Sequence, residues 1–140
     1  MSIQKNKSIL VGDVMVPLNL FPVIGEKLIL KEALEEMGRK RLGIACIVNE
    51  ENRLLGIITD GDLRRKLLKV QKPISAFFVD DALDHAIRSP ITANPDQTLE
   101  LAVENMEEKQ VWDLPVVDFS GNLVGLLHLH PAVKALLGKK

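Results

Sequence analysis

The chain has 140 residues, enough for one compact domain or for two small half-domains that share a core. With 18 basic and 19 acidic residues its net charge is −1, which excludes the broad basic field of a nucleic-acid or membrane-surface binder. A single cysteine excludes an intramolecular disulfide, and no apolar run approaches the length of a membrane span.

Residues Met1 to Ser8 are too polar for a signal peptide, so a cytoplasmic protein is expected. An extended segment, Leu20-Phe21-Pro22-Val23-Ile24, precedes the first periodic stretch. There Leu30, Ala33, Leu34 and Met37 fall at helical spacing, with Gly38 close to the helix end. Ile44 to Val48 reads as a short strand buried on both sides. Cys46 lies within it and is expected to be an inert core residue. The polar turn Asn49 to Arg53 leads to a return strand, Leu54 to Thr59, and a closing helix is expected over Asp62 to Leu68. Residues 70–82 form a linker whose Pro73 and Phe77-Phe78 favour packing over flexibility.

A second extended segment, Ser89 to Ala93, opens a copy of the same order. Leu99, Ala102, Val103 and Met106 give the helical stripe, Leu114 to Asp118 a strand, Ser120-Gly121-Asn122 the turn and Leu123 to Leu127 the return strand. Pro131 to Leu137 completes the copy, with the proline tolerated in a first helical turn. Setting residues 28–68 over 97–137, an offset of 69, needs no gap and gives ten identities, among them Met37/Met106, Leu54/Leu123 and Gly56/Gly125. About two or three would arise by chance. The chain is therefore an internal duplication.

The chemistry concentrates in Gly56-Ile57-Ile58-Thr59-Asp60-Gly61-Asp62-Leu63-Arg64-Arg65. A strand that runs into a helix through a hydroxyl and a carboxylate offers N–H groups and a positive dipole end to an anion, and an acceptor to ribose hydroxyls. Thr59 and Asp62 also have the residue types of a simple helix cap. In the copy, His128 and Pro131 occupy these two positions, and proline accepts no ribose hydrogen bond, so one ligand per chain or an altered second pocket is expected. His128 and His130, two apart, would share a face of a continuing strand and line that altered pocket. They lack a sequence-local carboxylate or thiolate, and no metal site is expected. Trp112 reads as a packing or interface residue. No P-loop, H-E-x-x-H or G-x-S-x-G motif is present, and an enzyme is not expected from this chain alone.

A duplicated β-α-β-β-α unit with Gly56, Ile57, Ile58, Thr59 and Asp62 at its last strand–helix junction resembles the CBS domain pair. The resemblance implies an α/β fold of two CBS repeats, 11–69 and 83–138, packed in pseudo-two-fold symmetry. It also implies ligand binding between the repeats, with Thr59 on phosphate, Asp62 on ribose, and Pro22, Val23 and Ile24 lining the base. Arg64 and Arg65 are added as phosphate partners on the ground that arginine meets phosphate bidentately. CBS pairs associate through their helices, so a homodimer is expected. The words Asp13-Val14-Met15, Leu42-Gly43, Thr59 to Arg65 and His130 are further similar to the CBS region of bacterial arabinose 5-phosphate isomerases. That likeness implies a sugar isomerase domain in the same polypeptide, a place in lipopolysaccharide precursor synthesis, and AMP, ATP, CMP or a CMP-activated sugar as regulatory ligand. Sugar nucleotidyltransferase modules share the arginine-rich string. A ligand-free oligomerisation scaffold and a free-standing sensor are the other readings.

Overall fold

The computed structural model describes residues 8–138, which form two similar halves packed sheet to sheet. α1 (Val11–Val14) and a single 3-10 turn (Leu18–Leu20) lead into β1 (Val23–Gly25). The stripe Leu30, Ala33 and Met37 is buried and produces α2 (Leu30–Lys40). β2 (Ile44–Val48) and β3 (Leu54–Thr59) make a hairpin, and α3 (Asp60–Lys69) closes the unit. The connection holds α4 (Ile74–Phe78) and a second 3-10 turn (Ala82–His85). α5 (Leu99–Lys109), β4 (Asp113–Val117), β5 (Leu123–His128) and α6 (Leu129–Leu136) repeat the pattern.

Side chains alternate across β2 into two different cores. Ala45 and Ile47 join Leu30, Met37 and Phe77 inside the first half. Ile44 and Cys46 face the other way, against Leu123 and Leu126 of β5. With both faces covered, the strand reads as a continuous apolar run rather than an alternating one. A third cluster, around Leu99, Ala102, Met106 and Leu127, fills the second half.

The duplication appears as a pseudo-two-fold axis. Arg53 bridges Asn122, its own equivalent in the other repeat, so the axis passes through this pair. Around it Leu54 N–H donates to the Gly121 carbonyl at 3.0 Å, and Leu123 N–H to that of Asn52 at 2.9 Å. The left-handed residues are matched as well: Asn52 (φ 67°) with Gly121 (φ 86°), and Arg41 (φ 59°) with Gln110 (φ 55°). Arg41 and Gln110 end α2 and α5, so the first helix runs past Gly38.

Each half is completed by the other's leader. Leu10 and Val16 bridge Thr98 and Leu126 of the second repeat, and their counterparts Asp81 and Ile87 bridge Ile29 and Ile57 of the first. Val11 accordingly lies in the second core and Ala82 in the first.

Two expectations change. α3 begins at Asp60, ahead of the expected Asp62, because Thr59 caps it. The leading strand forms only in the first repeat, where β1 pairs in parallel with β2. In the second repeat it shrinks to the bridge Ala93–Val116. In the first repeat Cys46 N–H donates to the Pro22 carbonyl at 2.9 Å, whereas its equivalent is Pro115, which has no N–H to give.

Candidate functional site

Thr59 is the last residue of β3 and the N-cap of α3. Its extended backbone turns the hydroxyl over the first helical turn, where Oγ1 accepts from Asp62 N–H at 3.2 Å. The same hydroxyl donates to Asp62 Oδ2 at 2.6 Å, and Arg65 Nη2 donates to Oδ1 at 2.6 Å. Burial by itself would raise the Asp62 pKa. The hydrogen bonds from Thr59 and Arg65, with the arginine charge, outweigh it and hold the carboxyl below the usual carboxylate range. Asp60 N–H is tied to the Gly43 carbonyl at 3.0 Å, which fixes the helix start against β2.

β1 stands at the same end of the sheet. The order β1-β2-β3 pairs Val23 with Cys46 and Thr59 with Ile44, so Pro22 and Val23 lie one strand away from Thr59, roughly 10 Å across. β1 is the edge strand, and among the described residues the outer side of its backbone has no strand partner. Pro22 and Ile24 are buried, Ile24 in the first core, and Val23 packs against the cluster between the halves. In this parallel register the main chain of Ile24 faces β2 and that of Val23 faces the open edge. Arg64 is exposed and makes no side-chain hydrogen bond or ion pair among the described residues, whereas Arg65 is committed to Asp62. A shallow cavity of about 370 Å³ between α2 and α3, lined by Leu34, Met37, Arg41 and Gly43, shares only Asp60 with this junction.

The corresponding corner of the second repeat is built differently. His128 ends β5, and α6 starts at Leu129, which places His130 in the first helical turn. The two imidazoles therefore do not share a strand face, because the strand stops where the helix takes over the backbone bonds. His128 Nδ1 lies 2.7 Å from Asp113 Oδ1, its direct cross-strand neighbour in the β4–β5 register. This carboxylate was missed as a partner because it is fifteen residues away. Regular counting from the Val117–Leu123 pair would set Asp113 opposite Leu127, and the register shift at Val116/Val117 moves the pairing to His128. Burial pushes the Asp113 carboxyl up, against the hydrogen bond and charge of His128, and the net direction is upward. Pro131 occupies the Asp62 position, as read from the sequence. Trp112 is 71% exposed and contributes its carbonyl, which accepts from Leu129 N–H.

Burial raises the Cys46 thiol far above its ordinary value, with the nearby Asp113 charge adding to the effect. A second cluster went unread in the sequence: Asp80 Oδ2 takes Lys72 Nζ at 2.9 Å and His85 Nε2 at 2.8 Å, with the imidazole tilted at 47° to the Phe77 ring. It ties the connection to itself, while Leu30 N–H on the Asp80 carbonyl at 2.8 Å and buried Phe77 join the connection to the first half. Among the described residues no group of His, Cys, Asp and Glu is arranged to hold a metal, and no helix is long and apolar enough to cross a membrane.

A doubled sheet-and-helix unit, with a Thr-x-x-Asp helix cap at the strand end of the first copy, defines a class of paired α/β modules. The sequence matches the CBS domain family over residues 11–69 and again over 79–137, and the chain belongs to that family as a tandem CBS pair. An uncharacterized protein of Helicobacter pylori is 36% identical over 122 residues, covering 86% of this chain and 35% of that protein. Arabinose 5-phosphate isomerase KdsD of Francisella tularensis is 29% identical over 124 residues, covering 89% of this chain and 36% of the enzyme. The chain thus spans about a third of the length of these relatives. Among solved structures, the CBS-pair protein CBSX2 from Arabidopsis thaliana superposes with a TM-score of 0.81 at 29% identity, covering 94% of this chain and 96% of that one. A structure of CBSX2 in complex with AMP gives 0.80.

Proposed function

We propose that this chain is a regulatory module that binds one nucleotide at the β3–α3 junction of its first repeat. The observation that carries this reading is the Thr59 and Asp62 pair at the start of a ten-residue helix, one strand from the open edge of β1. The helix end suits a phosphate, Asp62 a ribose diol, and the outward main chain of Val23, flanked by Pro22 and Ile24, a base. Arg64 is free to approach the phosphate. An adenine nucleotide is the first ligand to test, because AMP is bound by a chain 29% identical to this one. ATP, CMP and a CMP-activated sugar follow, the last two resting on the likeness to arabinose 5-phosphate isomerase. With Pro131 where the diol acceptor would be and His128 tied to Asp113, the second corner does not repeat the site.

The regulated partner is a sugar isomerase domain in the same polypeptide, and the module forms a homodimer through its helices. Exposed Leu68, Leu136 and Leu137 at the ends of α3 and α6 support that association. Only a ligand with unequal affinity for two packings of these halves or chains can regulate. A second reading, an oligomerisation scaffold with no ligand, is favoured by Asp62 having both oxygens satisfied within the chain.

Thermal unfolding of the chain and of Asp62→Ala against AMP, ATP, CMP, CMP-activated octulosonate and S-adenosylmethionine separates the two. At a hundred times its dissociation constant a ligand adds about 2.7 kcal/mol, on the order of 10 °C at this size. A shift present in the wild type and lost in Asp62→Ala is the expected outcome. No shift from any of the five leaves the scaffold.

A further inference from the structure

We propose that Arg65 acts as an internal occupant of the site and thereby selects phosphorylated over unphosphorylated nucleosides. This rests on the nucleotide reading above and concerns the same pocket. A vicinal diol engages a carboxylate through both oxygens, yet here Oδ2 holds the Thr59 hydroxyl and Oδ1 holds Arg65, each at 2.6 Å. Thr59 can turn its hydroxyl without leaving the helix cap. Arg65 must leave.

Its seat is built by the first turn of α3. The guanidinium lies over Gly61, where a Cβ would come within 3.3 Å of Nη1 and 3.4 Å of Nη2, so the missing side chain makes room for it. The arginine side chain is 58% exposed and has Asp62 as its one ion-pair partner among the described residues. It is therefore held weakly enough to move and lies beside the helix N-terminus that receives an anion. A phosphate entering there offers the displaced guanidinium a new bidentate acceptor. A free nucleoside displaces it and returns nothing. The exchange replaces the ion pair on Asp62 with hydrogen bonds from the diol and gives the guanidinium a phosphate in return, and only a nucleotide completes it.

The test is calorimetric titration of the full chain with AMP and with adenosine, in the wild type, Arg65→Met, Gly61→Ala and Lys69→Gln. Losing the competitor should strengthen adenosine binding by about threefold in Arg65→Met. AMP gains by the same factor but loses about tenfold with the phosphate contact, a net weakening of about threefold. Lys69→Gln, in the last turn of α3, should leave both affinities unchanged. Gly61→Ala, which crowds the guanidinium off its seat but keeps it on the helix, should strengthen adenosine and AMP alike and leave their ratio unchanged. Equal weakening of both ligands by Arg65→Met, or no change in either, overturns the proposal while the nucleotide site stands. If neither AMP nor adenosine binds the wild type, the site and the proposal fall together.

Discussion

Gly56 and Gly125, one of the ten identities in the duplication, show why a single residue type is required at the head of the motif. Each lies where the leader of the other repeat crosses the return strand. A Cβ on Gly56 would stand 2.7 Å from the Ile87 carbonyl oxygen, and one on Gly125 2.6 Å from Met15 Sδ and 3.1 Å from the Val16 carbonyl oxygen. The first obstacle is backbone held by a bridge, and the second is mainly a flexible thioether. Gly56→Ala should therefore cost about 2–3 kcal/mol and Gly125→Ala about 1 kcal/mol, an ordering that urea denaturation of the two variants checks. The glycines were visible as a repeated pair, but their reason was not, because the clashing atoms come from the opposite repeat.

At the scale of the element, the two hairpins are the same length and carry a register shift at equivalent places, Ile47/Val48 and Val116/Val117. They differ in what ends them. The first ends in an Ile44–Thr59 pair, the second in Asp113–His128. Asp113 has its folded-state pKa raised, by burial above all, so the folded form holds this proton more tightly than the unfolded chain does. Its contribution to stability is full below the unfolded value near 3.9 and is lost as pH rises through the raised one. Asp113→Asn should thus be more stable than the wild type at pH 7, the difference shrinking as pH falls through the raised value. Asp62 has the opposite sign. Its depressed pKa gives stability that is present above the unfolded value and lost as pH falls through the folded one. Chemical denaturation of wild type and Asp113→Asn from pH 3 to 8 tests the sign directly.

Over the whole molecule, the exchange of leaders makes the two halves interdependent. Val11 is fully buried in the second core, and Phe77 and Ala82 are buried in the first although they follow its last helix. A chain ending at Lys69 would leave Ile57 without its Ile87 bridge and the first core without Phe77. Such a truncation should fail to show a cooperative unfolding transition by circular dichroism, while the complete chain should unfold in one step. If residues 1–69 unfold cooperatively by themselves, the halves are independent and the crossing contacts are incidental.

Local pattern determined a great deal. Helical stripes at Leu30, Ala33 and Met37 and at Leu99, Ala102 and Met106, the turns at 49–53 and 120–122, the duplication and the Thr59–Asp62 junction depend on residue period and turn chemistry, which adjacent residues carry. Tertiary structure decided the rest. Arg65 chose Asp62 over solvent, His128 found Asp113, Pro115 left the second repeat without a full leading strand, and residues 10–16 and 81–87 each went to the opposite half. These outcomes follow from which backbone edges and apolar faces remain uncovered once both hairpins have formed. That is a property of two assembled units, and no window of sequence within either one contains it.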